Sequence, residues 1–318
     1  MAALGAAELL VGRSHECDFP GPGSVGDVND VPVLTAARTH FAPGGSAAID
    51  QAVRDAIGQG QSLYTLDESR LAALKPDVII TQDLCSVCSI DLATVRRVAQ
   101  RLSPPPAIVS LNPETLEGVL DNVMTVGRAL DREDAARRTL VSLRERLYTA
   151  QDFVNAFAEG PNVAFLEWTS PLFIGGHWTP QLIERAGGRH PLNPTEPINK
   201  AGAAAGPVGT TQRRAGKSVT APAEVLVASR PDVVIIAPCG LTLDQAWSET
   251  ARLAEQPWWR ELPAVRSGRV AVVDGNQMFN RPGPRLVDAF EWLVGWLNER
   301  PGVMPSGFPW RPWQEARS

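Results

Sequence analysis

The sequence predicts an α/β protein built as two Rossmann-like lobes with mostly parallel sheets, joined by one long rigid helix. One observation is a unit that occurs twice. Leu74-Lys75-Pro76-Asp77-Val78-Ile79-Ile80-Thr81 precedes Cys85, and Ser229-Arg230-Pro231-Asp232-Val233-Val234-Ile235-Ile236 precedes Cys239. Each copy is a short amphipathic helix, a Pro-Asp turn and a continuous β-branched run, which reads as a strand buried on both faces of a parallel sheet. A second observation is the long helical stretch between the copies. The third is the length of 318 residues, enough for two domains that each bury a core. The expected boundaries are an N-terminal lobe over 1–111, a helical segment over 112–159, a C-terminal lobe over 160–300 and a tail over 301–318.

In chain order, Leu9–Val11 is a weak strand candidate, and Cys17–Gly26 is irregular because of its Pro and Gly content. A helix over Leu66–Leu74 leads into the strand at 77–81, and a further strand covers Ala107–Leu111. Asn112-Pro113-Glu114 predicts a helix start: a capping side chain, a proline in the first turn and an acid near the positive end. Leu116, Val119, Leu120, Val123, Gly127 and Leu130 form its stripe. Asp131 is expected to cap a second helix, with Leu140, Leu143, Leu147 and Val154 on one face. Running to about Ala158, that helix would span roughly 40 Å and act as a strut that limits closure. Strands follow at Asn162–Leu166, 232–236 and Arg269–Val273, with a helix over Pro222–Ala228. The segment between Trp168 and Trp178 carries Pro171, Gly175 and Gly176 and is expected to be exposed loop. Residues 191–217 form a long polar loop, of a length that implies function or mobility.

Hydrophobic content of 44% and charged content of 20% are those of a globular chain, and a net charge of −5 with scattered basic residues gives no nucleic acid a surface to bind. No apolar run approaches the length of a membrane span, so membrane insertion is not expected. Met1–Leu10 is apolar and short, without a basic region or cleavage site. The sequence as given is therefore expected in the cytoplasm, an expectation that lapses if its N-terminus is truncated. Four cysteines in that setting are thiols or metal ligands rather than a disulfide framework.

Ligands of open parallel sheets bind beyond the carboxyl ends of the strands. Applied here, that rule gathers Arg13, Ser14, His15, Glu16, Cys17 and Asp18 after the first strand. It gathers Gln82, Asp83, Cys85 and Cys88 after the strand at 77–81, then Glu167, Trp168, His177 and Trp178 after the strand at 162–166. Cys239 follows the strand at 232–236, and Asn276, Met278, Phe279 and Arg281 follow the last. All are expected to face one cleft between the lobes. Cys85 and Cys88, with His15 and Cys17, have ligand types that suit zinc, with Cys239 as a further candidate thiol; buried inert thiols or a redox pair are the alternatives. Trp168, Trp178 and Phe279 are candidates for an aromatic wall against a large planar ligand, with core packing as the alternative. Gly216-Lys217-Ser218 ends like a phosphate loop, but Thr211 stands where its glycine is needed and no strand precedes it, which excludes that motif. No Gly-x-Ser-x-Gly or paired carboxylates appear, so catalysis has little support.

Several of these segments together resemble one family. Gly12-Arg13-Ser14-His15-Glu16-Cys17-Asp18, Thr81-Gln82-Asp83-Leu84-Cys85-Ser86-Val87-Cys88 and Ala237-Pro238-Cys239-Gly240 resemble the BtuF-like vitamin B12-binding proteins, in particular the signal-less cobalamin-binding branch of the class III substrate-binding proteins. Phe165-Leu166-Glu167-Trp168, Gly176-His177-Trp178-Thr179-Pro180-Gln181 and residues 269–280 agree in order, over about 10–297. The resemblance implies two α/β lobes on a helical backbone with little hinge motion, cobalamin or a related corrinoid as ligand, and a transporter or corrinoid-handling enzyme as partner. It also implies a strand and a Ser-rich turn ahead of Ala2, whose loss would remove one cleft wall and expose a sheet edge. The loop at 191–217 is longer than the resemblance implies. Non-catalytic corrinoid binding is the expected function. The alternatives are binding of haem, a siderophore or a metal ion through a His/Cys site, and a thiol-dependent enzyme acting on a corrinoid or another cofactor.

Overall fold

The computed structural model describes residues 1–21, 24–38, 45–83, 90–155, 157–198, 209 and 212–314. It divides into two compact units, one of residues 1–113 and 120–142, the other of residues 114–119 and 143–318.

The first unit pairs β1 (Thr35–Ala37) with β2 (Tyr64–Leu66) antiparallel; α1 (Gly45–Gly58) lies between them in the chain. Next come α2 (Glu68–Leu74), β3 (Val78–Thr81), α3 (Leu92–Ala99) and β4 (Ala107–Ser110), with β3 and β4 parallel in the register Val78 to Ala107. Helix α2 starts two residues later than expected. Asp67 caps it by accepting from the Arg70 amide at 2.9 Å, and the residues before the cap are drawn into β2. Asp91 caps α3 in the same way, accepting from Thr94. The expected strand at Leu9–Val11 does not form. Ala7–Leu9 is a single 3₁₀ turn, and the extended contact falls further on, at a bridge from Arg13 to Val33.

Helices α4 (Leu116–Ala129) and α5 (Glu133–Gln151) each have residues in both units. Their apolar stripes are buried as the spacing predicts, from Leu116 to Val123 and from Leu140 to Leu147. Gly127 lets them approach: a Cβ there would sit 2.3 Å from that of Ala136. The expected caps are not the ones used. Thr115 caps α4, its Oγ1 accepting from Gly118, because the Asn112 side chain is taken by the Asp83 amide at 2.7 Å. Asp131 has a positive φ of 54° in the turn between the helices. The second helix ends seven residues short of Ala158. Beyond Gln151 the amides of Phe153 and Val154 bond to carbonyls three residues back, tightening the last turn. Its 19 residues span about 28 Å instead of 40.

The second unit holds a six-stranded sheet in the order β12-β11-β10-β5-β6-β9. Its parallel centre is β5 (Val163–Thr169), β10 (Val233–Ile236) and β11 (Val270–Val273); β10 and β11 are buried throughout, as their apolar runs require, and β5 is buried over Val163–Leu166. On one side β6 (Leu172–Ile174) folds back antiparallel on β5, and β9 (Val219–Thr220) pairs with β6. A two-stranded ribbon of β7 (Glu196–Pro197) and β8 (Arg213–Arg214) precedes β9 in the chain. On the other side β12 (Trp310–Pro312) pairs antiparallel with β11, so the tail packs back and buries Trp313. The helices are α6 (Thr179–Arg185), α7 (Ala223–Ala228), α8 (Leu243–Ala254), α9 (Pro263–Arg266) and α10 (Leu286–Leu297). In the two copies of the repeated unit the residue before proline, Lys75 and Arg230, has the same φ of 46°. The duplication therefore extends to a left-handed turn that ends each helix and launches each strand.

The segment between Trp168 and Trp178 is β6 and its flanks, not exposed loop. Its glycines serve close packing: a Cβ at Gly175 would sit 2.7 Å from the Phe165 ring, and one at Gly176 would sit 2.3 Å from the Ser218 amide.

Candidate functional site

In the first unit the expected residues gather where the chain turns after the Arg13–Val33 bridge. The Thr35 hydroxyl on β1 holds His15 twice, accepting from its backbone amide at 3.0 Å and lying 2.6 Å from ring Nδ1. The imidazole leans on Tyr64 of β2, with ring centroids 5.5 Å apart, and its Nε2 lies 3.7 Å from a Glu16 carboxylate oxygen. When Nδ1 carries the proton and donates to Thr35, Nε2 bears the lone pair that a metal centre needs. Cys17 is exposed, its sulfur accepting from the Ser14 hydroxyl at 3.2 Å, and the Arg13 guanidinium donates to the Cys17 carbonyl. Gln82 and Asp83 lie just past β3, with Asp83 anchored through its amide to Asn112. Cys85 and Cys88 lie outside the described residues. Among the described residues no group of three or more His, Cys, Asp or Glu side chains is placed to hold a metal ion.

In the second unit the carboxyl ends of β5, β10 and β11 come level. The Cys239 amide donates to the Glu167 carbonyl, and the Asn280 side chain donates to the carbonyls of Ala237 and Gly275. Gly275 has no room for a side chain, since a Cβ would lie 2.0 Å from the Pro238 carbonyl oxygen. Arg281 donates to the Asn276 side chain at 2.6 Å, so those two residues act as a pair. Trp168 is half-buried at the β5–β6 hairpin, its indole N–H donating to the Ser170 carbonyl.

His177 follows β6 with a positive φ of 55° and is half-buried; burial, reinforced by the Lys217 ammonium and opposed by Glu114, holds its pKa below the ordinary histidine value. Trp178 and Phe279 do not form a wall. They are 5% and 1% exposed; the Trp178 indole donates to the Phe279 carbonyl, and the Phe279 ring meets Phe165, Trp292 and Phe308 edge-on. Both belong to the interior of this unit, because Trp178 opens α6 and its ring turns inward.

The sequence did not single out Thr35, which sits between apolar residues with no motif around it. It named Ser218 only as the end of the excluded phosphate-loop triplet, not as the partner whose hydroxyl donates to the Glu167 carboxylate at 2.8 Å. Partners so distant in sequence leave no local signal.

The profile described as periplasmic binding protein matches residues 65–276. No curated protein matches the chain. Among solved structures it is similar to the periplasmic haem-binding protein RhuT of Roseiflexus sp. RS-1 in its apo form, at 20% identity over 94% of this chain and 93% of that one, with a TM-score of 0.63. It is similar to the periplasmic vitamin B12-binding protein BtuF of Vibrio cholerae at 17% identity, covering 94% and 92%, with a TM-score of 0.59. A periplasmic haem-binding protein of Pseudomonas aeruginosa matches at 18% identity, covering 94% and 90%, with a TM-score of 0.59. At these identities the likeness is one of fold.

Proposed function

For a chain that belongs to the periplasmic binding protein family, and is thus a binding protein rather than an enzyme, we propose a metal-centred tetrapyrrole as ligand, cobalamin or a related corrinoid first. The observation that carries this is His15: a half-exposed imidazole pinned at Nδ1 by Thr35, braced by Tyr64, with Nε2 turned away from its anchor. Neutral imidazole suits cobalt or iron, and a fixed ring loses little freedom on coordination. Haem is the second reading, because the same imidazole serves iron as well as cobalt. The partner that receives the ligand is an ATP-driven membrane transporter; no described helix is long and apolar enough to cross a membrane itself.

Titration of the purified protein with hydroxocobalamin, haemin and zinc, followed by absorbance and calorimetry, tests this. The expected result is saturable binding of hydroxocobalamin at micromolar concentration, with a shift of its visible bands as a nitrogen replaces a cobalt ligand. His15→Ala abolishes that shift, because the coordinating nitrogen is gone. A response to zinc alone would refute the tetrapyrrole. Binding with an unchanged spectrum in His15→Ala would refute coordination by His15.

A further inference from the structure

The first unit holds His15 through a single hydroxyl, and the partners of that hydroxyl say where the imidazole proton lies. Thr35 stands on β1 opposite Leu66 of β2, and Tyr64, further along β2, braces the imidazole with ring centroids 5.5 Å apart. Branching at Cβ leaves Thr35 few rotamers, so the strand itself places the hydroxyl oxygen. The His15 backbone amide can only donate, and it takes one lone pair of Thr35 Oγ1 at 3.0 Å. Ring Nδ1 lies 2.6 Å from the same oxygen, a distance usual for a hydroxyl donor and short for an N–H donating to oxygen. Among the described residues the hydroxyl has no further partner, so its own proton points to Nδ1. A neutral imidazole that accepts at Nδ1 carries its proton on Nε2. There it faces a Glu16 carboxylate oxygen at 3.7 Å, too far for a hydrogen bond but close enough to favour an N–H over a lone pair. Yet Nε2 is the nitrogen left open to a metal, and a protonated nitrogen cannot coordinate one.

We propose that Thr35 is a positioning residue that acts as a tautomer switch for His15. Its hydroxyl donates to Nδ1 in the free protein, which keeps the imidazole proton on Nε2, and it turns to accept from Nδ1–H when a metal takes Nε2. A hydroxyl suits both states because it has one proton to give and a second lone pair to offer, and its rotation leaves the bond from the His15 amide in place. Nε2 releases one proton to water as the bond to the metal forms, and Nδ1 takes one from water, so the ring begins and ends neutral. Protonated at Nδ1, the ring then donates to Thr35, the kind of hydrogen bond that fixes a metal-bound histidine and raises its basicity. The inference rests on coordination by His15 as proposed above and involves residues of the first unit alone.

Nitrogen NMR of isotope-labelled histidine reads the tautomer directly. The chain has 4 histidines, and the His15 signals are those lost in His15→Ala. At about pH 8.5, where histidine is neutral, free wild type is expected to show a protonated Nε2 and a bare Nδ1 at His15. Thr35→Ser, which keeps the hydroxyl, should show the same, whereas Thr35→Val, similar in shape without it, should lose the preference. The proton is expected on Nδ1 once wild type or Thr35→Ser is saturated with hydroxocobalamin or with gallium protoporphyrin, a diamagnetic stand-in for haemin. Thr35→Val should bind the same complex about tenfold more weakly, as for loss of a partner that orients a metal-bound histidine. A bare Nε2 in the free wild type, or a tautomer unchanged in Thr35→Val, overturns the switch while coordination by His15 stands. A free-state tautomer that depends on Thr35 but does not change with either metal complex refutes coordination by His15, and the switch falls with it.

Discussion

His190 sets how the second unit responds to acid. It is 2% exposed, its Nδ1 bonds to the Asn193 carbonyl at 3.1 Å, and its Nε2 is buried with no hydrogen-bond partner among the described residues. Burial, opposed by the Asn193 hydrogen bond and by Glu184, pushes its pKa down to about 4. An unfolded histidine titrates near 6.5, so the proton prefers the unfolded chain. The stability held by the neutral ring is therefore complete above about pH 6.5 and is lost as the pH falls toward 4. The gap between the two pKa values corresponds to about 3 kcal/mol, arriving at about 1.4 kcal/mol per pH unit across the window. His190→Asn isolates this term, because its amide can replace the Nδ1–H donor and cannot titrate. All 9 tryptophans lie at or after position 168, within the second unit, so urea unfolding followed by tryptophan fluorescence reports that unit alone. At pH 7.5 the variant should be less stable than wild type by about 1–3 kcal/mol for its lost packing. On acidification the wild type should fall faster, so that the difference closes and reverses by pH 4. Parallel stability curves from pH 7 to 4 would show that His190 is not held neutral by burial.

Two further substitutions probe the scaffold under the strand ends. Gly275→Ala forces a methyl group onto the Pro238 carbonyl, where only backbone can give way, and should cost at least about 2 kcal/mol in chemical denaturation; unchanged stability would mean that β10 and β11 can separate at their ends. Arg146 bridges α5 to Asp288 and Glu291 of α10, and those two acids, Glu291 first, raise its own pKa. Arg146→Met strands a largely buried Glu291 and should cost about 1–2 kcal/mol in chemical denaturation after allowance for the part-exposed arginine; no loss would mean that the pair is fully screened by solvent.

What the sequence disclosed about the fold depended on whether an element carries its own signal. The strands β3, β10 and β11 are runs dominated by β-branched residues and α4 shows an unbroken apolar stripe, so each was placed within a few residues, whereas α5 was placed by its stripe but expected to run seven residues too far. Strands β1, β2, β6, β7, β8, β9 and β12 are two or three residues long and exist because a neighbour pairs with them. Thr35-Ala36-Ala37 has no alternation to detect, and only its pairing with Tyr64–Leu66 makes it a strand. The caps failed for a related reason. Asn112 has the chemistry of a helix cap, yet one side chain cannot serve two amides equally well, and the Asp83 amide claims it while Thr115 caps the helix.

The site was harder to read because its residue types mean different things at different depths. Glycine is the clearest case. Gly175 and Gly176 suggested exposed loop, since glycine is common in turns, but here each marks a place where two pieces of chain come too close for any side chain. With that error corrected, the ring of Trp178 follows α6 into the interior, where Phe279 also lies, and of the three aromatic residues only Trp168 stays half-buried. The same close approach brings Lys217 beside His177, two residues separated by forty positions in sequence. The glycines taken for exposed loop thus hold two backbone segments together, and Gly176→Ala should disturb Lys217 and His177 together, whereas a substitution at the exposed Lys217 itself leaves the backbone of both segments intact.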